Sequence, residues 1–230
     1  MIFSNRYTQL FVSLIALLIG SPFILGVEMQ FPLVSFIFLI VILLTLRALQ
    51  IHKLTFVIIA LLAFSGFFLE LLYNFHVFNA DERLISIVSL SAFSVFIGVS
   101  ILIMLRNLFT QKIVSEDSVR GGIAVYLLIG CFWGILYQLV SVIDPGSFIR
   151  VTGNAGGDVR YLLFYFSFTT LTTVAFGDIL PANEIARVLA ALEGISGVLF
   201  IAVFVAQLVS LHVFHKTVTK QSVQPQPKGE

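Results

Sequence analysis

Charged residues are the class of residue that this sequence lacks most. Of its 230 residues only 11% are Asp, Glu, Lys or Arg, while 59% are hydrophobic. Soluble domains carry about 25% charged residues, so the composition predicts an integral membrane protein. Because one membrane-spanning helix takes about 20 mostly apolar residues, the chain holds a handful of spans with short loops. We therefore expect no separate enzymatic domain and no enzymatic activity.

Two further shortages exclude other classes of function. The formal net charge is only +1, and a nucleic-acid partner would require a concentrated basic face. The single cysteine, Cys131, lies inside an apolar run, so a disulfide within the chain and a cysteine metal site are excluded. We expect no cofactor and no resident metal, and a packed side chain at Cys131.

Long apolar runs are abundant, and they predict an all-α membrane protein. Six transmembrane helices are predicted by length and flanking charge, at residues 7–26, 32–50, 54–73, 84–105, 122–142 and 184–214. With both termini in the cytoplasm, nine of the 13 Lys and Arg residues lie inside and four outside, as the positive-inside rule favours. The sequence thus predicts a multi-pass protein of the plasma or inner membrane, surrounded by lipid.

One apolar run is too short to cross the membrane. Residues 159–172 are apolar and aromatic, and the polar stretch TTLTTVAFGDILP overlaps and follows them at 169–181. Non-helical backbone at membrane depth is tolerated only when it is buried in protein or lines a water-filled path. We expect a re-entrant helix followed by an extended segment whose carbonyl oxygens replace the hydration shell of a cation. This pattern predicts permeation without any bond breaking.

The sequence TLTTVAFGD, with an aromatic helix before it and Pro181 and Arg187 after it, resembles the pore signature of the potassium channel family, whose filter is TVGYGD. The resemblance runs from Tyr161 to about His215. More weakly, the six-span layout resembles that of voltage-gated-like channels. The resemblance implies potassium as the permeating ion and a homotetramer, because a ring of carbonyls around an axis needs several copies of the one filter segment.

The resemblance also assigns roles to individual residues. It places ion-binding groups at Thr173, Val174, Ala175, Phe176 and Gly177. Thr173 would give its hydroxyl and carbonyl at the inner end, and the other four their backbone carbonyls. Asp178 would tie the outer mouth to the surrounding shell, while Thr169 to Thr172 would close the pore helix.

The filter departs from the family pattern at two positions. Phe176 replaces the usual tyrosine and removes a hydroxyl that can brace the filter. Ala175 replaces a glycine that in the family adopts a left-handed conformation, in which a residue with a Cβ loses about 1–2 kcal/mol. Either neighbouring contacts hold Ala175 in that conformation, or its carbonyl turns away and the preference for potassium over sodium weakens.

Other candidate residues lie along the last span. Glu193 is an intramembrane carboxylate, which is expensive and by default functional. It could face the cavity and attract cations, or hydrogen-bond threonines behind the pore helix, and we favour the second role. Gly197 is a candidate gating hinge, although close packing explains it about as well. The gate could be the filter or the inner helix near Ile201 and Val205.

The fourth span contains no Lys or Arg between Arg83 and Arg106, which excludes a charged voltage-sensor helix. The predicted units are a four-helix bundle (1–106), a cytoplasmic linker (107–120), a pore domain (121–215) and a disordered cytoplasmic tail (216–230). Within the pore domain we place a pore helix (159–172), a filter (173–178) and an inner helix (184–214).

These features predict a tetrameric channel that conducts potassium passively. A weakly selective or sodium-permeable channel on the same scaffold is the nearest alternative, because of Ala175. A non-conducting membrane subunit or sensor is a second alternative. A secondary transporter is disfavoured, because the sequence has no paired broken helices related by an inverted repeat.

Overall fold

Helices make up most of the protein. The computed structural model describes residues 6–25, 32–48, 53–74, 81–111, 115–151 and 159–223. The helices in these ranges are α1 (Arg6–Leu25), α2 (Pro32–Ala48), α3 (Lys53–Asn74), α4 (Glu82–Phe109), α5 (Glu116–Ile143), α6 (Val159–Leu171) and α7 (Glu184–Val223). Two short strands, β1 (Phe148–Arg150) and β2 (Ile179–Pro181), pair antiparallel with Ile149 opposite Leu180. The predicted helical architecture is confirmed, and the β-ribbon is an addition to it.

Three of the described helices are long and apolar enough to cross a membrane. They are Arg83–Phe109 of α4, Glu116–Ile143 of α5 and Glu184–Ser210 of α7. The apolar stretches of three other helices are shorter, namely Tyr7–Gly20, Lys53–Leu69 and Tyr161–Leu171. The prediction of a helical membrane protein is thereby confirmed, whereas the number of six spans stays a prediction.

The hydrophobic core lies where α1 and α4 pack against α5. Its most deeply buried side chains include Leu10, Leu14, Phe96, Met104 and Leu128. They belong to one continuous cluster that also reaches α6. Close packing of this kind is the main source of helix association in lipid, where tails and side chains are equally apolar. The predicted bundle (1–106) and pore domain (121–215) therefore share one core.

The predicted linker at 107–120 is longer than the observed connection. α4 continues to Phe109 and α5 begins at Glu116, which leaves 110–115 between them. Ser115 and Ser118 exchange hydrogen bonds in a capping box, and two acidic residues occupy the first turn of α5. Caps and acidic residues stabilise a helix N-terminus, but hydropathy does not register them.

The last helix is also longer than predicted. α7 begins at Glu184 and continues to Val223, so the part of the predicted tail at 216–223 is helical. Polar residues end an apolar span without ending a helix, which is why hydropathy placed the boundary too early. The remainder of the predicted tail, 224–230, lies outside the described residues.

Polar contacts mark the two ends of the helices. At one end, Arg120 of α5 donates to the Thr8 hydroxyl of α1 over 3.1 Å and pairs with Glu116 at 3.1 Å. At the other end, Arg83 of α4 donates to the Ile143 carbonyl, at the end of α5, over 2.6 Å. The β-ribbon lies at this second end, because β1 follows α5 directly and β2 precedes α7. The polar segment 172–178 enters the ribbon and therefore opens at the same end.

Candidate functional site

The short helix α6 is seated on glycines of α5. A Cβ atom at Gly130 would lie 2.6 Å from the ring of Phe168, and one at Gly134 would lie 2.7 Å from the ring of Phe164. Only glycine leaves room for these two rings, and small residues let membrane helices approach closely. The aromatic content of α6 therefore serves its attachment to α5.

The C-terminal end of α6 lies against α7. A Cβ atom at Gly197 would lie 2.3 Å from the Leu171 carbonyl oxygen, whereas one at Gly194 would have the Thr170 carbonyl at 4.0 Å. Gly197 is thus required for close backbone contact between α7 and α6. This geometry supports the close-packing interpretation of Gly197, and its role as a hinge stays a prediction.

The polar segment begins as the C-cap of α6. The Thr173 amide donates to the Thr170 carbonyl over 2.9 Å, and the Val174 amide donates to the Thr169 carbonyl over 2.9 Å. These two bonds, with Thr173 at a φ of 61°, form a Schellman motif in which threonine occupies the left-handed position that usually belongs to glycine. The helix end therefore dictates the conformation of the first residues of the segment.

Backbone handedness alternates along the segment. Thr173, Ala175 and Gly177 have φ values of 61°, 43° and 77°, whereas Val174 and Phe176 between them do not have positive φ. The Ala175 amide also donates to the Thr169 carbonyl, over 3.1 Å. Of the two alternatives for Ala175, the structure shows the left-handed conformation, held by a hydrogen bond to α6. The positive φ values at Thr173 and Ala175 are strained for residues with a Cβ.

The backbone carbonyls at the end of α6 and those of the polar segment that follows differ in their hydrogen bonding. The carbonyls of 168–170 accept backbone amides, and the Leu171 carbonyl accepts the Tyr126 hydroxyl over 3.3 Å. Within the described part of the chain, the carbonyls of 172–177 accept no hydrogen bond, and these residues are exposed in a single chain. Backbone carbonyls require partners, so such a row of free carbonyls, if it lies within a membrane, requires water or cations.

The C-terminal part of the segment is attached through Phe176 and Asp178. The Phe176 ring stacks on Tyr165 of α6, with centroids 6.4 Å apart and planes 2° from parallel. The Asp178 carboxylate lies near the Tyr165 hydroxyl. The Asp178 carbonyl accepts the Val151 amide over 2.8 Å, at the start of the ribbon. Asp178 thus joins the segment both to α6 and to the connection that follows α5.

A polar staple fastens the end of α5 to the start of α7. The Asn183 side-chain amide donates to Asp144 Oδ2 over 2.8 Å and to the Ser147 hydroxyl over 2.9 Å. Asn183 Oδ1 accepts the Ala186 amide over 2.8 Å and so caps α7. The bond from Asn183 and then the Gly146 amide hold the pKa of Asp144 below its usual range. The staple holds together the two ends of the segment 148–181.

Glu193 is fully buried between α5, α6 and α7. Its carboxyl group lies 2.5 Å from the Tyr137 hydroxyl and 2.5 Å from the Ser167 hydroxyl. Ser167 belongs to α6, so Glu193 makes a hydrogen bond behind the short helix, and its partners are a serine and a tyrosine, where threonines were expected. The expected threonines bond within their own chain segment instead: Thr169 donates to the Phe166 carbonyl and Thr172 to the Phe168 carbonyl.

The remaining candidates lie on an uncovered face of α7. The side chains of Ile201 and Val205 are 49% and 50% exposed in the single chain. Only 11% of the apolar stretch of α7 is buried in the single chain, compared with 61% of the apolar stretch of α5. This face is available to lipid, to further copies of the chain, or to a water-filled cavity.

Sequence reasoning missed several residues that build the site. They are Tyr126, Tyr137, Asp144, Tyr165, Ser167 and Asn183. For Asp144 and Asn183 a signal existed, because Asp-Pro-Gly marks a turn and an asparagine before Glu184 is typical of a helix N-cap. The other four lie inside apolar runs, where the sequence does not indicate which helix face meets which neighbour.

Residues 125–213 match the model of a protein family described as ion channel. The match begins in α5, includes α6 and the polar segment, and ends in α7. No curated protein and no solved structure matches the chain. This part of the chain is therefore similar to an ion-channel domain, which supports passive, non-enzymatic ion conduction across a membrane.

Proposed function

We propose that four copies of this chain form a channel that conducts potassium passively and selectively. The carrying observation is the row of unpaired carbonyls at 172–177, next to residues that alternate in backbone handedness. Left-handed residues at alternate positions can gather successive amide groups on one side of the chain, and in the proposed filter the carbonyls lie on the other side. Such a row of carbonyls can replace the water around a cation.

The left-handed conformation of Ala175 supports potassium selectivity over the weakly selective alternative. At a φ of 43° Ala175 keeps the handedness that glycine has in the resembled filter. In the proposed pore the ion-binding residues are Thr173, Val174, Ala175, Phe176 and Gly177. Asp178, Thr169, Thr172 and Glu193 support this filter from outside and from behind.

Exposed apolar side chains support the assembly of several copies. Val174 and Phe176 are 53% and 70% exposed in the single chain, beside carbonyls that must face an ion path. The weakly buried α7 provides a further apolar surface for contact between copies. A closed cyclic homotetramer satisfies both requirements, because four filter segments then surround one axis.

In this arrangement α7 lines the inner cavity. Ile201 and Val205 would face the cavity, and the gate would be either the filter or the α7 helices near these residues. The absence of Lys and Arg from α4 between Arg83 and Arg106 disfavours steep voltage gating through that helix. We place both termini in the cytoplasm of a cell bounded by the plasma or inner membrane, which leaves the filter mouth and the ribbon outside.

Purified protein in liposomes tests the proposal. Potassium-loaded vesicles should lose potassium without added energy. Empty vesicles should take up potassium from outside, and they should take up no sodium when sodium replaces the external potassium. Chemical crosslinking in the same vesicles should give a ladder that ends at four chains. A ladder that ends at one chain, or vesicles that stay tight at every voltage and pH, would instead support a non-conducting subunit.

A further inference from the structure

The buried carboxyl group of Glu193 takes part in more contacts than the available protons can fill if it is ionised. Tyr137 Oη lies 2.5 Å from Oε2, and Ser167 Oγ lies 2.5 Å from Oε1. Ser167 Oγ also lies 2.7 Å from the Gly130 carbonyl oxygen. These contacts link α7 through α6 to α5 in one chain of oxygen atoms.

A count of the protons distinguishes the two forms of the acid. The Tyr137 hydroxyl proton fills the contact with Oε2. Ser167 has a single hydroxyl proton, but with an ionised Glu193 it would face two acceptors, Oε1 and the Gly130 carbonyl. One pair of oxygens would then meet without a hydrogen between them. A proton on Oε1 removes this conflict, because the acid donates to Ser167 and Ser167 donates to Gly130.

Within the described residues, no cation forms an ion pair with Glu193. Among the described residues, the ion pair recorded for the structure joins Arg120 to Glu116. The titratable groups that face Glu193 are two tyrosines of α5, Tyr137 and Tyr126, while α6 contributes the Ser167 hydroxyl. An ionised carboxylate buried without a cation is far more costly than the neutral acid.

We propose that Glu193 is a neutral acid that passes a hydrogen bond through Ser167 to the Gly130 carbonyl and thereby positions α6 and the filter. The proposal rests on the proposed conduction. Ser167 lies two residues before Thr169 in α6, and the Thr169 carbonyl accepts the amides of Val174 and Ala175. A shift of α6 at Ser167 therefore moves the anchor of the filter, and Glu193 acts as a positioning residue.

Infrared spectroscopy tests the protonation without any need for conduction. The difference spectrum between wild-type protein and Glu193→Gln in lipid at neutral pH should contain the C=O stretch of one protonated carboxylic acid. Glu184→Gln, an exposed acid of the same helix, provides the matched control and should remove carboxylate bands only. Loss of carboxylate bands in the Glu193→Gln difference would overturn the proposal.

Ion flux tests the positioning role. Glutamine has an acceptor oxygen for the Tyr137 hydroxyl and an NH2 group that can donate to Ser167, so Glu193→Gln keeps the bonding pattern of the neutral acid and should retain the wild-type ratio of potassium to sodium flux. Glu193→Ala and Ser167→Ala should lower that ratio by roughly tenfold, the effect of losing a buried hydrogen-bond partner. Wild-type selectivity should also fall on strong alkalinisation, as Glu193 ionises, whereas Glu193→Gln should show no such fall.

Two flux results contradict the proposal. Glu193→Gln could damage selectivity as much as Glu193→Ala, or the alkaline fall could persist in Glu193→Gln. If Glu193→Ala does not fold, the smaller change Ser167→Ala carries the comparison. If wild-type protein conducts nothing at any pH, the proposed function fails, and the infrared spectra still decide whether Glu193 is neutral.

Discussion

Ala175 is held in a conformation that its Cβ atom disfavours. A residue with a Cβ atom destabilises the folded state by about 1–2 kcal/mol in the left-handed conformation. Glycine removes this strain, but its greater freedom in the unfolded chain offsets part of the gain. We therefore expect Ala175→Gly to stabilise each chain by up to about 1 kcal/mol and to preserve potassium selectivity. The β-branched Ala175→Val should destabilise the filter by about 1–3 kcal/mol and reduce potassium flux.

Thermal unfolding of the assembled protein in detergent, combined with flux in vesicles, measures both variants. The expected order of stability is glycine, alanine, valine. Equal stability of the alanine and valine proteins would show that position 175 is not left-handed in the membrane.

Gly197 and Gly194 lie three residues apart on α7 but differ in their surroundings. A methyl group at 197 would clash with the Leu171 carbonyl at 2.3 Å, while one at 194 would have its nearest neighbour at 4.0 Å. Gly197→Ala should therefore cost about 1–3 kcal/mol by overpacking and displace the end of α6. Gly194→Ala should be neutral or stabilise α7 by up to about 1 kcal/mol.

The pair is read out by melting temperature and by potassium flux. A hinge at Gly197 without close packing predicts a different result, in which Gly197→Ala keeps the melting temperature of the wild type and changes only the frequency of channel opening. That result would contradict the packing interpretation.

At the scale of the elements, the staple between α5 and α7 makes the end of the molecule that carries the β-ribbon sensitive to acid. The pKa of Asp144 lies below its usual range, first because of the bond from Asn183. A group whose pKa is lowered on folding contributes stability above its ordinary value, near 3.9, and loses it as the pH falls through the folded value. Asp144→Asn should therefore melt below the wild type at neutral pH, and the gap should close below about pH 4.

The measurement is the melting temperature of both proteins between pH 7 and pH 3. Glu184→Gln, next to Asn183 in sequence, is the matched control. A gap between wild type and Asp144→Asn that is independent of pH would show that the charge of Asp144 does not strengthen the staple.

How much the sequence predicts also depends on the element. Apolar length and the interruption at 169–181 are enough to place α6, the polar segment and the start of α7, because each of these depends on local composition. Local composition does not predict the β-ribbon, because β1 and β2 have only three residues each and are far apart in the sequence. It does not predict the partners of Glu193 either, because they depend on which faces of α5 and α6 meet. The sequence shows that the handedness of Ala175 matters, but it does not predict the hydrogen bond to Thr169 that accompanies the left-handed conformation.

At the scale of the whole molecule, the structure is a packed layer of helices with one face left uncovered. α1 and α4 pack on α5, and α5 carries α6 through its glycines. In contrast, α7 and the side chains of Val174 and Phe176 remain largely exposed. The helices α1 and α4 therefore support α5 on one side, and in the proposed channel the uncovered face of α7 would face the axis on which copies of the chain meet.

The central claim is that this axis is a potassium-selective pore, and the reversal potential tests it most directly. Wild-type protein is placed in a planar bilayer with potassium chloride on one side and an equal concentration of sodium chloride on the other. The account predicts a large reversal potential of the sign that opposes potassium efflux, with Ala175→Gly giving the same sign and at least the same size. A reversal potential near zero, or one that follows sodium, would contradict it.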